Sequence, residues 1–190
     1  MIVSKLVAGL ALALAIPFAG PAPPAHDTTH HRAGPPSVHD QIRAARSATR
    51  GFTHPPAARR ADYGLFKDAS GVACIAMRHR GAMGVHYANN GVLDAKVRLR
   101  HPEALVYRFT WNGHLRLAAL EYLVLRKDWV AEHGRGAPRP RLFGHRFNFT
   151  PAGNRYGLPA FYSLHAWVWY HNPAGRFRMW NPRVHCPAGV

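Results

Sequence analysis

Hydrophobic positions change their spacing twice along the chain. An unbroken apolar run, Leu6–Ala19, follows the short positive start Met1–Lys5 and precedes the small, proline-rich stretch Gly20–Ala25. The run is shorter than the roughly 20 apolar residues of a membrane-spanning helix, so it predicts an export leader over 1–25 whose removal leaves no transmembrane anchor. Residues 26–62 hold few large apolar groups and many His, Pro, Ala and Arg. They read as an arm with a short helix over Ser37–Arg50, capped by Ser37, anchored by Ile42 and stopped by Pro55-Pro56. From Tyr63 onward, residues 63–190 break into short segments dense in aromatic and β-branched residues, divided by Gly, Pro and Asn. Strands are expected over Val72–Met77, Met83–Ala88, Ala104–Phe109, His114–Leu125, Arg141–Phe149, Phe161–Tyr170 and Phe177–Val184. Asn89-Asn90-Gly91 and Trp111-Asn112-Gly113 are turns, and Asp128–His133 is the one helical stretch in this half. Links this short suit antiparallel pairing. The expected fold is α+β, mainly an antiparallel β-sheet forming a sandwich or partly closed barrel, with the N-terminal helix packed outside.

About 165 residues remain beyond the leader, which suits one domain with a sizeable core. An aromatic fraction of 11% excludes a disordered chain. The net charge is +16, with twenty-one arginines among 25 basic residues against 9 acids, and no acid follows Glu132. Such a field favours an acidic polymer or envelope component as partner, although genomic base composition produces the same bias. The chain has 2 cysteines. In an exported protein they are expected to pair, Cys74 with Cys186, closing a loop worth roughly 4–5 kcal/mol in the chain-entropy model.

Three polar residues interrupt apolar strands: His86, Glu121 and His165. Strict alternation along Leu115–Leu125 puts Glu121 on a face with Leu117, Ala119, Leu123 and Leu125. A carboxylate there needs a partner or a raised pKa. The ordinary arrangement would pair Glu121 with an arginine or tyrosine and give each histidine a backbone carbonyl. If the three instead meet, two histidines and a glutamate suit one divalent transition metal, zinc or iron, with a coordination position left open. No HxH or HExxH spacing supports this, no catalytic residue is assigned, and Ser163 lacks a GxSxG setting. A glycosidase-like carboxylate pair would have to come from Asp94, Glu103 and Glu121. The five histidines at 26, 30, 31, 39 and 54 would hold metal only loosely. Trp167, Trp169 and Trp180 suit a core wall. Exposed, Trp180 beside Arg176 and Arg178 would instead stack on carbohydrate or single-stranded nucleic acid.

Cys74, Gly81–Tyr87, Arg100–Tyr107, Leu120-Glu121-Tyr122, Leu164–Trp169, Asn172-Pro173, Trp180-Asn181-Pro182 and Cys186 together resemble a group of uncharacterised exported bacterial proteins. The similarity covers roughly Tyr63–Cys186. It implies the domain boundary and the paired cysteines, and no activity. Three functions stay open. The first is a ligand-binding or accessory module, secreted, periplasmic or at the cell envelope, whose small-molecule ligand is unknown. The second is a metal-dependent enzyme using His86, Glu121 and His165, with Tyr87 or Tyr122 moving protons. The third binds a polyanion or cell-wall polymer. An apolar pocket holding the three side chains around one point favours the enzyme.

Overall fold

The computed structural model describes residues 34–188. The leader, its cleavage region and the histidines at 26, 30 and 31 lie outside them. Helix α1, Val38–Thr49, begins at a capping box: the Ser37 hydroxyl accepts from the Asp40 N–H at 3.2 Å, and the Asp40 carboxylate accepts from the Ser37 N–H. Such reciprocal satisfaction of free amide protons is what starts a helix here. Ala45 and Thr49, one turn apart, are fully buried, and Ile42 packs against the core. Pro55 opens a second, short helix, α2 (Pro55–Arg59), where its missing N–H costs nothing.

Strands β1 (Gly64–Leu65), β2 (Cys74–Met77), β3 (Gly81–Ala88), β4 (Ala104–Phe109) and β5 (Leu115–Leu125) follow. Helix α3 (Arg126–His133), a small hairpin of β6 (Arg141–Leu142) and β7 (His145–Arg146), then β8 (Asn148–Thr150) and β9 (Phe161–Ala166) complete the elements. The fold is therefore α+β around a seven-stranded antiparallel sheet ordered β1-β3-β4-β5-β9-β8, with β2 also paired to β3. The sheet does not close into a full barrel. No helix among the described residues is long and apolar enough to cross a membrane.

Three expectations are corrected. Arg141–Phe149 is not one strand, because the chain turns at Phe143-Gly144 into the β6–β7 hairpin. Phe177–Val184 is not a strand; the described C-terminal segment is irregular, joined to the sheet by a single bridge between Ala82 and Asn181. Side-chain amides explain this, since Asn172 donates to the Trp180 carbonyl and buried Asn181 donates to the His171 carbonyl, replacing a ladder with turns. Strict alternation also fails in β5. Val106 faces Ala119 but Tyr107 faces Leu117, so a bulge at Ala118 puts Leu117 on the opposite side from Glu121. The bulged Ala118 carbonyl accepts from the Trp169 and Tyr170 N–H groups.

One sheet face carries Val85, Tyr87, Leu105, Tyr107, Leu120 and Tyr122 against the helices and Phe143. Cys74 pairs with Cys186, their Cα atoms 5.6 Å apart, tying β2 to the C-terminal segment. The other face carries His86, Glu121 and His165.

Candidate metal centre and cavity

Register brings the three residues together. Glu121 stands directly opposite His165 across β5 and β9, and opposite Ala104 on β4. Ala104 in turn faces Ala88 on β3, so His86, two residues back from Ala88, projects on the same side one step along the sheet. Alanines at 88 and 104 leave room where larger side chains would fill the space. Gly84, at the β3 bulge, instead lets β3 and β4 approach closely: its φ is +93°, and a Cβ there would lie 2.6 Å from the Tyr107 carbonyl oxygen.

His86 Nε2 and His165 Nε2 are 3.1 Å apart. Glu121 Oε2 is 3.3 Å from His86 Nε2, and Glu121 Oε1 is 3.4 Å from His165 Nδ1. The last contact is close but not aligned as a hydrogen bond, and His165 Nδ1 has no hydrogen-bond partner. The ordinary arrangement does not occur: neither an arginine nor a tyrosine holds Glu121, and the histidines face each other and the carboxylate. Burial drives the His165 pKa below the usual histidine range, with His86 adding and Glu121 opposing. Burial works to raise Glu121, yet His165, the His86 hydrogen bond and charge, and the Ser163 hydroxyl together bring it well below the usual carboxylate range. Neutral imidazole and ionised carboxylate are the forms that ligate a metal.

The cluster opens into a cavity of about 90 Å³ lined mainly by apolar groups, among them Phe66, Ile75, Met83, Leu123 and Phe161. Its walls are clamped by Asp68, which is buried and accepts from Ser70 N–H, Val72 N–H and the Arg155 guanidinium. That side chain joins the β1–β2 loop to the loop carrying Tyr156. No lysine or arginine lines the cavity, although the chain has 25.

Comparison with known proteins finds no matching family model, curated protein or solved structure.

The other expected site residues lie apart. Arg176 and Arg178 are exposed and Trp180 is half-buried in the C-terminal segment, where the Arg178 carbonyl accepts from the Trp167 indole N–H. Trp167 is buried, as a core wall requires. Tyr87 and Tyr122 are on the wrong face for proton transfer at the cluster: Arg59 donates to the Tyr87 hydroxyl, and Tyr122 donates to the Leu99 carbonyl. Alternation within β3 and β5 forces this, since each is one residue from His86 or Glu121. His54, one of the scattered histidines, is held against β5 through the Leu115 carbonyl. Tyr156 was not expected in the cavity. It sits in an Asn-Arg-Tyr-Gly loop that carries no periodic signal.

Proposed function

We propose that this is an exported metal-dependent enzyme that binds one divalent transition metal ion through His86, Glu121 and His165 and acts on a small molecule held in the adjoining apolar cavity. The observation that carries the reading is the 3.1 Å separation of two buried imidazole Nε2 atoms with a carboxylate oxygen 3.3 Å from one of them. Ligand atoms about 2.1 Å from a common zinc or iron lie roughly 3.0–3.5 Å apart; His86 Nε2 has that spacing to both His165 Nε2 and Glu121 Oε2, and one atom from each of the three residues lies within 4.8 Å of the others. Three protein ligands leave a position free, which distinguishes a catalytic from a structural site. A His₂–carboxylate set suits zinc or ferrous iron. A bound ion would polarise an oxygen of the substrate or of water.

The Cys74–Cys186 disulfide supports a working place outside the reducing cytoplasm, whether secreted or periplasmic. A purely ligand-binding module would use the same cavity. The acidic-polymer reading has exposed Arg176 and Arg178 behind it but no comparable cluster.

Elemental analysis of protein purified without a tag tests the proposal. Close to one transition-metal ion per chain is expected, falling below a tenth in His165→Ala, with a lower melting temperature after chelation. Protein that is metal-free as isolated, takes up no zinc or iron, and melts unchanged in chelator overturns it.

A further inference from the structure

Trp111 stands at the tip of the β4–β5 hairpin and is 98% exposed, whereas the next most exposed large apolar side chains among the described residues, Leu65 and Met77, reach 43%. The turn is built without it. The Thr110 N–H donates to the His114 carbonyl at 2.8 Å and the Gly113 N–H to the Thr110 carbonyl at 3.0 Å, so backbone bonds close the loop and hold the indole outward. Behind the tip, Arg108 and Arg116 stand directly opposite each other across the two strands. Like charges in that position repel. The arginines that have carboxylate partners are Arg43, Arg98 and Arg155, so neither member of this pair is neutralised among the described residues, and no acid occurs between Glu103 and Glu121. Both are nevertheless held in place. His54, whose Nδ1–H donates to the Leu115 carbonyl, accepts from Arg116 through Nε2, and Arg108 lies over the Tyr170 ring at 4.0 Å. The adjacent Trp169 carries Arg46 in the same manner. A fully exposed indole in front of fixed, unneutralised guanidinium groups combines two costs that packing does not explain.

We propose that this hairpin end docks onto an anionic lipid bilayer, Trp111 entering the headgroup layer while Arg108 and Arg116 meet lipid phosphates. The inference goes beyond the metal-dependent reading and does not rest on it. An indole suits the boundary because it joins a large apolar body to a single N–H. The dimensions fit as well: at about 3.3 Å per residue, the arginine pair lies roughly 10 Å behind Trp111 along the strands, close to the depth to which interfacial apolar groups sink. Long arginine stems let the guanidinium groups reach forward to the phosphate level. Charge complementarity selects the surface, since an anionic leaflet attracts each nearby arginine and relieves the repulsion within the pair. The convex shape of the site favours a bilayer over a glycan. A sugar stacked on an indole needs neighbouring side chains to bond its hydroxyls, and Trp111, at 98% exposure, has none packed against it.

The test is co-sedimentation of the protein with vesicles of equal parts phosphatidylglycerol and phosphatidylcholine, at an ionic strength of about 0.15 M so that diffuse attraction to the basic chain is screened. Trp111→Ala should weaken binding roughly tenfold, from the loss of one large apolar group at the interface. Arg116→Gln, which keeps a donor for His54, should weaken it about fivefold. Heparin, a polyanion without a bilayer, should bind wild type and Trp111→Ala alike. Vesicles with brominated lipid tails should quench a tryptophan signal in the wild type that Trp111→Ala lacks. An almost contact-free side chain can be replaced without disturbing the fold, and the compared proteins share the same N-terminus, so any contribution of its apolar run cancels. Equal vesicle binding by wild type and Trp111→Ala, undiminished binding to pure phosphatidylcholine, an equal loss on heparin, which would make Trp111 a polymer-stacking residue, or no vesicle binding at all overturns the inference.

Discussion

On one face of the sheet Tyr63, Tyr107 and Tyr122 each donate their hydroxyl to a backbone carbonyl, of Pro102, Phe52 and Leu99 respectively. On the other, His165 keeps its buried Nδ1 with no hydrogen-bond partner. Both faces are shielded from water, so burial alone does not separate them. What differs is the fate of the polar tips: on the tyrosine face they are consumed in docking loops onto the sheet, and on the cavity face two imidazoles and a carboxylate are left facing one another. A buried hydrogen-bonding group without a partner is costly, so the cavity face is destabilised in a way the tyrosine face is not.

The largest expected break of this contrast is at the covalent tie. Cys74 lies across from Val85 on the tyrosine side, and the bridge closes a separation of 112 residues. Replacing both cysteines by alanine should cost about 5 kcal/mol in urea unfolding, against the chain-entropy value for a loop of that length. The residual folded protein should keep its cluster geometry, because the register of β3, β5 and β9 is set by the sheet and not by the bridge. A loss below about 1 kcal/mol would mean that the C-terminal segment is held mainly by Asn172, Asn181 and the bridge to Ala82.

How much of this was legible follows from what each element depends on. The β4–β5 hairpin could be read because alternating apolar residues flank an Asn-Gly turn, both local signals. The cluster could be suspected because His86, Glu121 and His165 each interrupt an apolar strand, although their meeting depends on strand order, which no local pattern carries. Phe177–Val184 misled because its alternating bulky residues look like a strand, while the groups that claim its backbone, the Asn172 amide and the Trp167 indole, come from elsewhere in the chain. Glu103 gave only the weak signal of being one of few acids. Next to Pro102 it resembles a solvated turn residue, and its burial results from loops closing over the strand end.

A sharper comparison comes from pH, with an expected effect of the order of 3 kcal/mol. Burial pushes Glu103 up to about 8 from its ordinary value of 4.5. Between those limits the unfolded chain has released this proton and the folded chain still holds it, so stability falls as pH rises through the window and levels off above it. Glu121 and His165 have the opposite sense: both are shifted down in the fold, so their contributions are present at neutral pH and lost on acidification, from about 6.5 downward for the histidine and from about 4.5 for the carboxylate. Subtracting the urea stability of wild type from that of Glu103→Gln isolates the first effect. The difference should grow in favour of the variant from pH 5 to pH 8; a flat difference would show that Glu103 is ionised in the folded protein.

The smallest expected effect tests whether the faces are separable at all. Tyr107→Phe removes one hydroxyl from the face that uses its polar atoms for structure, leaving the Phe52 carbonyl, bonded at 2.8 Å in the native protein, without its donor. The cost should be about 1 kcal/mol, the value of one neutral hydrogen bond with a partly buried acceptor. Because Tyr107 faces away from the cavity, across from Leu117 beyond the β5 bulge, metal content should stay at the wild-type level. If instead this variant loses the ion, the loop at Phe52 and the bulge at Ala118 transmit to the cluster, and the sheet acts as one coupled layer with no independent faces.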